Sequence, residues 1–270
     1  MSAMTHDKIA RAVRLLAGAS ALLWAALGLG WYTGSRWAVV LWPWPEVPMS
    51  FVLLASMAAF IAVVWATVAW SGELAALSGA GLNIVVAGVG LGAHLGLQRL
   101  IGPALVMWGG AVVGAWLLAW ARRQPIRDAR LTPTAVRFGF VAFTLALGFA
   151  GGALVLQQQV FPWQLHPASL RLIGALFLGA AAYFAYAAAQ TRWVHAAPPL
   201  WAFLAYDGVL CVPYLRLLGG GAAAVDDYYG DAAAVNMTSL SVYLAVIGSS
   251  AALALYCLFF HPATRLLRRR

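Results

Sequence analysis

Charge is what this chain has least of. Charged residues fill only 9% of its 270 positions and hydrophobic ones 63%, a balance that excludes a soluble domain, whose surface needs far more polar cover. Lysine is nearly missing: Lys8 stands alone, ahead of the first apolar run, so no retinal Schiff base can form inside a helix. His94 is the one histidine within an apolar run, since His6, His166, His195 and His261 lie in loops or at run ends, which excludes a membrane haem held by paired histidines. The two cysteines, Cys211 and Cys257, fall in different runs and indicate neither a disulfide nor a metal site. No Gly-x-Ser-x-Gly elbow, His-Glu-x-x-His helix, phosphate loop or Cys-x-x-Cys pair occurs. The residues therefore name no cofactor, no metal and no catalytic group.

What is present is apolar length. A hydrocarbon core of ~30 Å takes about 20 residues of helix to cross, and backbone groups inside it must bond to one another. Eight runs satisfy this: Ala12 to Tyr32, Ser50 to Trp70, Leu74 to Leu97, Ala104 to Ala121, Phe138 to Leu156, Leu170 to Ala189, Pro199 to Leu218 and Ser239 to Phe260. The expected class is an all-α integral membrane protein with eight transmembrane helices. The first run follows a basic segment, as a signal peptide would. It is too long for one and has Trp31 and Tyr32 where a small-residue cleavage site belongs, so it is read as a helix.

Cytoplasmic loops collect arginine and lysine. With the N-terminus inside, alternation leaves only Arg36, Arg99, Arg171 and Arg216 outside and every other basic residue inside. The net charge of +9 thus reflects topology and excludes a nucleic-acid partner. The preference for arginine over lysine, with abundant alanine, suggests a GC-rich bacterial genome. The expected location is the bacterial cytoplasmic (inner) membrane, with both termini cytoplasmic.

Three short matches recur in the same order. Ala12-Val13-Arg14 answers Ala135-Val136-Arg137; Trp42-Pro43-Trp44 with Pro48 and Ser50 answers Phe161-Pro162-Trp163 with Pro167 and Ser169; Arg99-Leu100-Ile101-Gly102 answers Arg216-Leu217-Leu218-Gly219. The expectation is two parallel four-helix units, 1–123 and 124–270, related by an axis along the membrane normal, with a seam between them. Proline and tryptophan are also common at membrane interfaces, which is the simpler source of such matches. The Pro-Trp segments resemble bacterial multi-pass membrane proteins of unknown function that carry an aromatic-Pro-aromatic stretch and then a proline at a helix start. That resemblance supports the repeat and implies no activity.

Helix packing accounts for much of the remaining pattern. Gly88, Gly92 and Gly96, and likewise Gly110 and Gly114, recur every four residues and let backbones approach, within the chain or against a membrane partner. Tyr183 and Tyr186 read as interfacial anchors. Ionisable groups inside the bilayer are costly and point to function. Asp207 lies near the middle of the seventh run, six residues before Pro213, and reads either as a ligand-binding acid or as a neutral structural hydrogen-bonder. On the third run Asn83, Ala87, Gly90 and His94 share one helical face, away from the glycine row. That face is expected to border a cavity, with Asn83 and His94 joining Asp207 at the seam. Gly219 to Ser239 is expected to be an outer loop whose Asp226, Asp227 and Asp231 form a solvated turn or, less simply, a calcium site. With Glu46 and His166 these acids would line an outer vestibule.

Three functions follow as expectations. The first is binding or carriage of a small or lipid-like molecule at the seam, anchored by Asp207. The second is an accessory or scaffold subunit whose partner covers the glycine faces. The third is a lipid-modifying enzyme using the outer acids.

Overall fold

The computed structural model describes the backbone of residues 3–229 and 236–265 and, within these, the side chains of 8–214, 236 and 238–265. The described elements are helical: α1 (Ala3–Tyr32), the short α2 (Arg36–Val39), α3 (Pro48–Ser71), α4 (Leu77–Leu97), α5 (Ile101–Ala121), α6 (Thr134–Val155), α7 (Pro167–Ala189), α8 (Ala197–Tyr229) and α9 (Met237–Leu255). Seven of the segments are long and apolar enough to cross a membrane, and among the described residues there is no strand. α8, which contains the expected seventh run, is not one of the seven found within the described residues, which include its side chains only as far as Tyr214. Pro198, Pro199, Asp207 and Pro213 dilute its described part.

The boundaries follow local chemistry. Proline opens α3 and α7 at Pro48 and Pro167, where its missing N–H costs nothing. α4 and α5 are separated at Arg99, which turns left-handed (φ +61°), so that the Leu100 amide bonds back to the Leu95 carbonyl at 3.0 Å. One expectation is corrected here: α8 continues to Tyr229, where a loop was expected from Gly219. Each added residue of a formed helix gains a hydrogen bond, and Ala222, Ala223 and Ala224 favour it. The side chains of Asp226 and Asp227, and Asp231 altogether, lie outside the described residues.

The chain packs as two compact units that interleave along the sequence, a different grouping from the halves 1–123 and 124–270. The first holds Met1–Gly72, Phe161–Leu165 and Pro198–Phe260; the second holds Glu73–Val160, His166–Ala197 and His261–Arg270. In the first, α1 runs against α3. A Cβ on Gly28 would lie 3.2 Å from the Ala55 carbonyl oxygen and 3.7 Å from the Ala59 nitrogen, so the helices cross in close contact there. The Trp31 indole donates to the Ala38 carbonyl at 2.9 Å, beside a core of Leu54, Ala55 and Ala58. In the second unit α4 packs on α5 and α7, and α6 on α7. There Gly151 and Gly174 face each other, each backbone oxygen 2.9 Å from where the other's Cβ would be.

Local geometry recurs between the units at fixed sequence offsets. Gly28 and Gly151 are 123 residues apart; their neighbours Ala55 and Ala59 lie 119 before Gly174 and Leu178, whose oxygen and nitrogen meet a Cβ on Gly151. Arg14 donates to the Ala69 carbonyl at 3.1 Å and Arg137 to the Ala188 carbonyl at 2.9 Å, again at offsets of 123 and 119. Gly34 and Gln157, 123 apart, both have φ +63°. Each completes the same helix end: Ser35 to Gly30 at 2.8 Å and Gln158 to Ala153 at 2.9 Å. Single-turn 3-10 helices at Leu74–Ala76 and Trp193–His195 follow α3 and α7, also 119 apart.

Candidate functional site

In the first unit, polar side chains gather where α8, α9, α3 and the Phe161–Leu165 segment meet. α8 buries Asp207, 5% exposed, in a helix otherwise rich in leucine, alanine and aromatics. α9 supplies Ser250, whose hydroxyl lies 3.1 and 2.9 Å from the two carboxylate oxygens. Among the described residues no cationic side chain pairs with Asp207. Six residues on, Pro213 leaves the Val209 carbonyl without its helical N–H.

Beside the acid, the Tyr206 hydroxyl is 2.6 Å from that of Tyr243, seven residues before Ser250 and so on the same face of α9. Ser56 of α3 also hydrogen-bonds Tyr206. Phe161, Trp163 and Tyr214 set their rings edge-on or steeply inclined to Tyr243, with centroids 5.8, 6.4 and 5.9 Å away. The Trp163 indole donates to the Ser50 hydroxyl at 3.1 Å, and Ser50 donates to Glu46 at 2.9 Å. Glu46 thus sits at the opening turn of α3, where the helix dipole favours an anion. Sequence reasoning singled out Asp207 and Glu46 and missed Ser250, Tyr206 and Tyr243. The seven-residue spacing of Tyr243 and Ser250 was the only available signal.

Asn83 and His94 belong to the second unit. On the face that Asn83, Ala87 and Gly90 share with His94, the first contacts are with α7: a Cβ on Gly179 would strike the Asn83 side chain, and one on Gly90 would lie 3.0 Å from Ala175. Alanine and glycine on that face let α7 come close. The glycine row packs too, against α5: Gly88 over the Met107 carbonyl and Ala111, Gly92 over the Trp108 ring, with Gly96 beside it. Gly114 meets Gly81 and Ile84, whereas among the described residues nothing lies within 4 Å of a Cβ on Gly110. Tyr183 is buried over Gly79 instead of anchoring an interface. His94 is buried and 3.2 Å from the Gln98 amide nitrogen. The His166 ring accepts from the Ala168 N–H, capping α7.

The loops of the second unit are tied by charge. Glu73 accepts from the Arg127 and Asp128 amides at 3.2 and 2.9 Å, and Arg130 pairs with Asp128 at 2.6 Å while reaching the Thr264 carbonyl at 3.0 Å. The Arg130 guanidinium holds the Asp128 carboxyl below the usual carboxylate range. Burial pushes His195 down to about 4, so its ring is neutral where it meets Tyr186 edge-on. Among the described residues no group of three metal-ligating side chains occurs.

Fold and composition define the class: an all-helical, multi-pass membrane protein. Set against known protein families, curated proteins and solved structures, the chain matches none.

Proposed function

We propose that this chain is a protein of the bacterial inner membrane, both termini cytoplasmic, that binds or carries a small or lipid-like molecule with Asp207 as its polar anchor. The observation that carries this reading is the Asp207 cluster: a buried acid with no cationic partner among the described residues, bonded to one serine and flanked by tyrosines on two helices. Such a group is costly in lipid and does little for packing, so its retention favours a role in binding. The eight-span topology and the two four-helix copies belong to the same reading. The paired glycine crossings, arginine caps, left-handed helix ends and 3-10 turns at offsets of 123 and 119 support duplication, because similarity in chain order is hard to obtain from interfacial proline and tryptophan alone.

The test is to purify the protein in mild detergent and identify by mass spectrometry the molecules that accompany it. A stoichiometric small molecule that Asp207→Asn no longer retains, at unchanged expression, is the expected result. Equal retention by the variant overturns the reading. An accessory-subunit role draws on a different feature, the open space beside Gly109 and Gly110 on α5 with Val112 and Val113 exposed. A stoichiometric protein partner would favour it.

A further inference from the structure

The Ser250 hydroxyl has one hydrogen and four acceptors in reach: both Asp207 oxygens at 3.1 and 2.9 Å, the Ile247 carbonyl at 2.9 Å and the Val246 carbonyl at 3.1 Å. It can satisfy only one strongly at a time. Two arrangements are complete. With Asp207 ionised, the hydroxyl donates to the carboxylate. With Asp207 protonated, the carboxyl O–H donates to the serine oxygen, and the serine hydrogen turns to the Ile247 or Val246 carbonyl of its own helix. Neither state leaves the acid or the serine without a partner, and the change needs only rotation of one hydroxyl.

We propose that Asp207 and Ser250 form a reversible proton-binding site whose occupancy controls the binding assigned above to Asp207, and this rests on that assignment. The ligand is a single proton exchanged with the aqueous phase, with no other bond made or broken. A proton also fits the space, since Asp207 is buried and engaged through both oxygens. Among the described residues, the titratable groups around it are the phenols of Tyr206 and Tyr214 on α8 and of Tyr243 on α9. Among the described residues, α3 brings the Ser56 hydroxyl to Tyr206, and the 161–165 segment brings Phe161 and Trp163 to Tyr243, the Trp163 indole leading on to Ser50 and Glu46. None of these supplies a positive charge that would fix the acid in its ionised form.

Infrared difference spectroscopy of the full chain in lipid nanodiscs, carrying isotope-labelled aspartate, reads the site directly. The expected result is a carboxylic-acid carbonyl band that disappears as pH rises, is missing from Asp207→Asn, and moves to higher frequency in Ser250→Ala because its hydrogen bond is lost. An Asp207 signal that stays wholly acid or wholly carboxylate across the stable pH range overturns the proposal, as does a band unmoved in Ser250→Ala. If Asp207→Asn does not fold, the labelled wild-type chain and Ser250→Ala decide alone. A titrating band in a protein whose Asp207→Asn variant still retains its small molecule would sustain the proton site and remove the carrier reading. A static band with lost retention would do the reverse.

Discussion

The helix pairs α1/α3 and α6/α7 solve one packing problem twice, with different residues at equivalent places. Both cross at a glycine and close the second helix with an arginine from the first. In α6/α7 the crossing has glycine on both sides, Gly151 and Gly174; in α1/α3 Gly28 meets Ala55 and the approach is looser, 3.2 Å against 2.9 Å to the facing carbonyl. The polar positions diverge further. Gly90 and Asp207, 117 residues apart like Arg99 and Arg216, differ completely: one lies flat under Ala175, the other holds a carboxyl on Ser250. Backbone contacts recur while side-chain chemistry differs, which is what is expected if the frame carries folding and a single position carries function.

The largest effect should come from the crossings. In Gly151→Ala the new Cβ would lie 2.9 Å from the Gly174 oxygen and 3.0 Å from the Leu178 nitrogen, both backbone atoms, so the helices must part. Overpacking of this kind costs roughly 1–3 kcal/mol, and Gly151→Leu should abolish the folded yield. Gly28→Ala meets the Ala55 oxygen and Ala58 Cβ at 3.2 Å and asks for a shift of a few tenths of an ångström. Melting curves in detergent should rank Gly151→Ala well below Gly28→Ala; the opposite order breaks the comparison.

His195 is the next contrast, because its counterpart 119 residues earlier is Ala76, which cannot titrate. Burial lowers the imidazole to about 4, against an ordinary value near 6.5 in the unfolded chain. The unfolded state therefore takes up the proton first as pH falls. Stability from the neutral ring is complete above about 6.5 and is lost as pH falls towards 4. His195→Phe, which keeps a ring against Tyr186, should flatten the melting temperature across that window. An unchanged slope would mean that another group causes it.

The sequence shows the helices more clearly than it shows their neighbours. Apolar length sets the spans because the bilayer demands it, and proline marks the openings of α3 and α7. The end of α8 was misplaced because its glycines and acids suggest a loop, whereas alanine and a helix already formed carry it on. Asp207 is conspicuous as an acid in an apolar run. Ser250 is not, since a serine in such a helix usually bonds its own backbone, as Ser249 does to the Val246 carbonyl. The closeness of α7 to the Asn83 face was legible too: Ala87 and Gly90 beside it are as small as the glycine row, and small residues admit a neighbouring helix.

A subtler contrast lies in the left-handed helix ends. Gly34 adopts φ +63° without strain and Gln157 does so against the clash of its Cβ, a cost of roughly 1–2 kcal/mol for an L-residue. Among the described residues nothing lies within 4 Å of a Cβ on Gly34, so backbone conformation is what is at stake there. Gln157→Gly should stabilise the protein by up to about 1 kcal/mol, part of the strain relief being offset by chain entropy. Gly34→Ala should destabilise it by a similar amount. Shifts of the same sign in both variants would show that the two ends are not equivalent.

The smallest effects belong to the arginine caps. The last carbonyls of a helix lack partners and carry its negative dipole end, so a guanidinium there contributes about 0.3–1 kcal/mol when exposed. Arg14 reaches the Ala69 carbonyl from an exposed position at 3.3 and 3.1 Å, whereas Arg137 makes one shorter bond of 2.9 Å to Ala188 from a half-buried one. Water and salt weaken the first more than the second. Arg137→Gln should therefore lower the melting temperature more than Arg14→Gln, and added salt should erase the Arg14 effect first. The double variant should lose the sum of the two, because each arginine caps a helix in a different unit. A loss well beyond that sum would mean the two helix pairs are coupled.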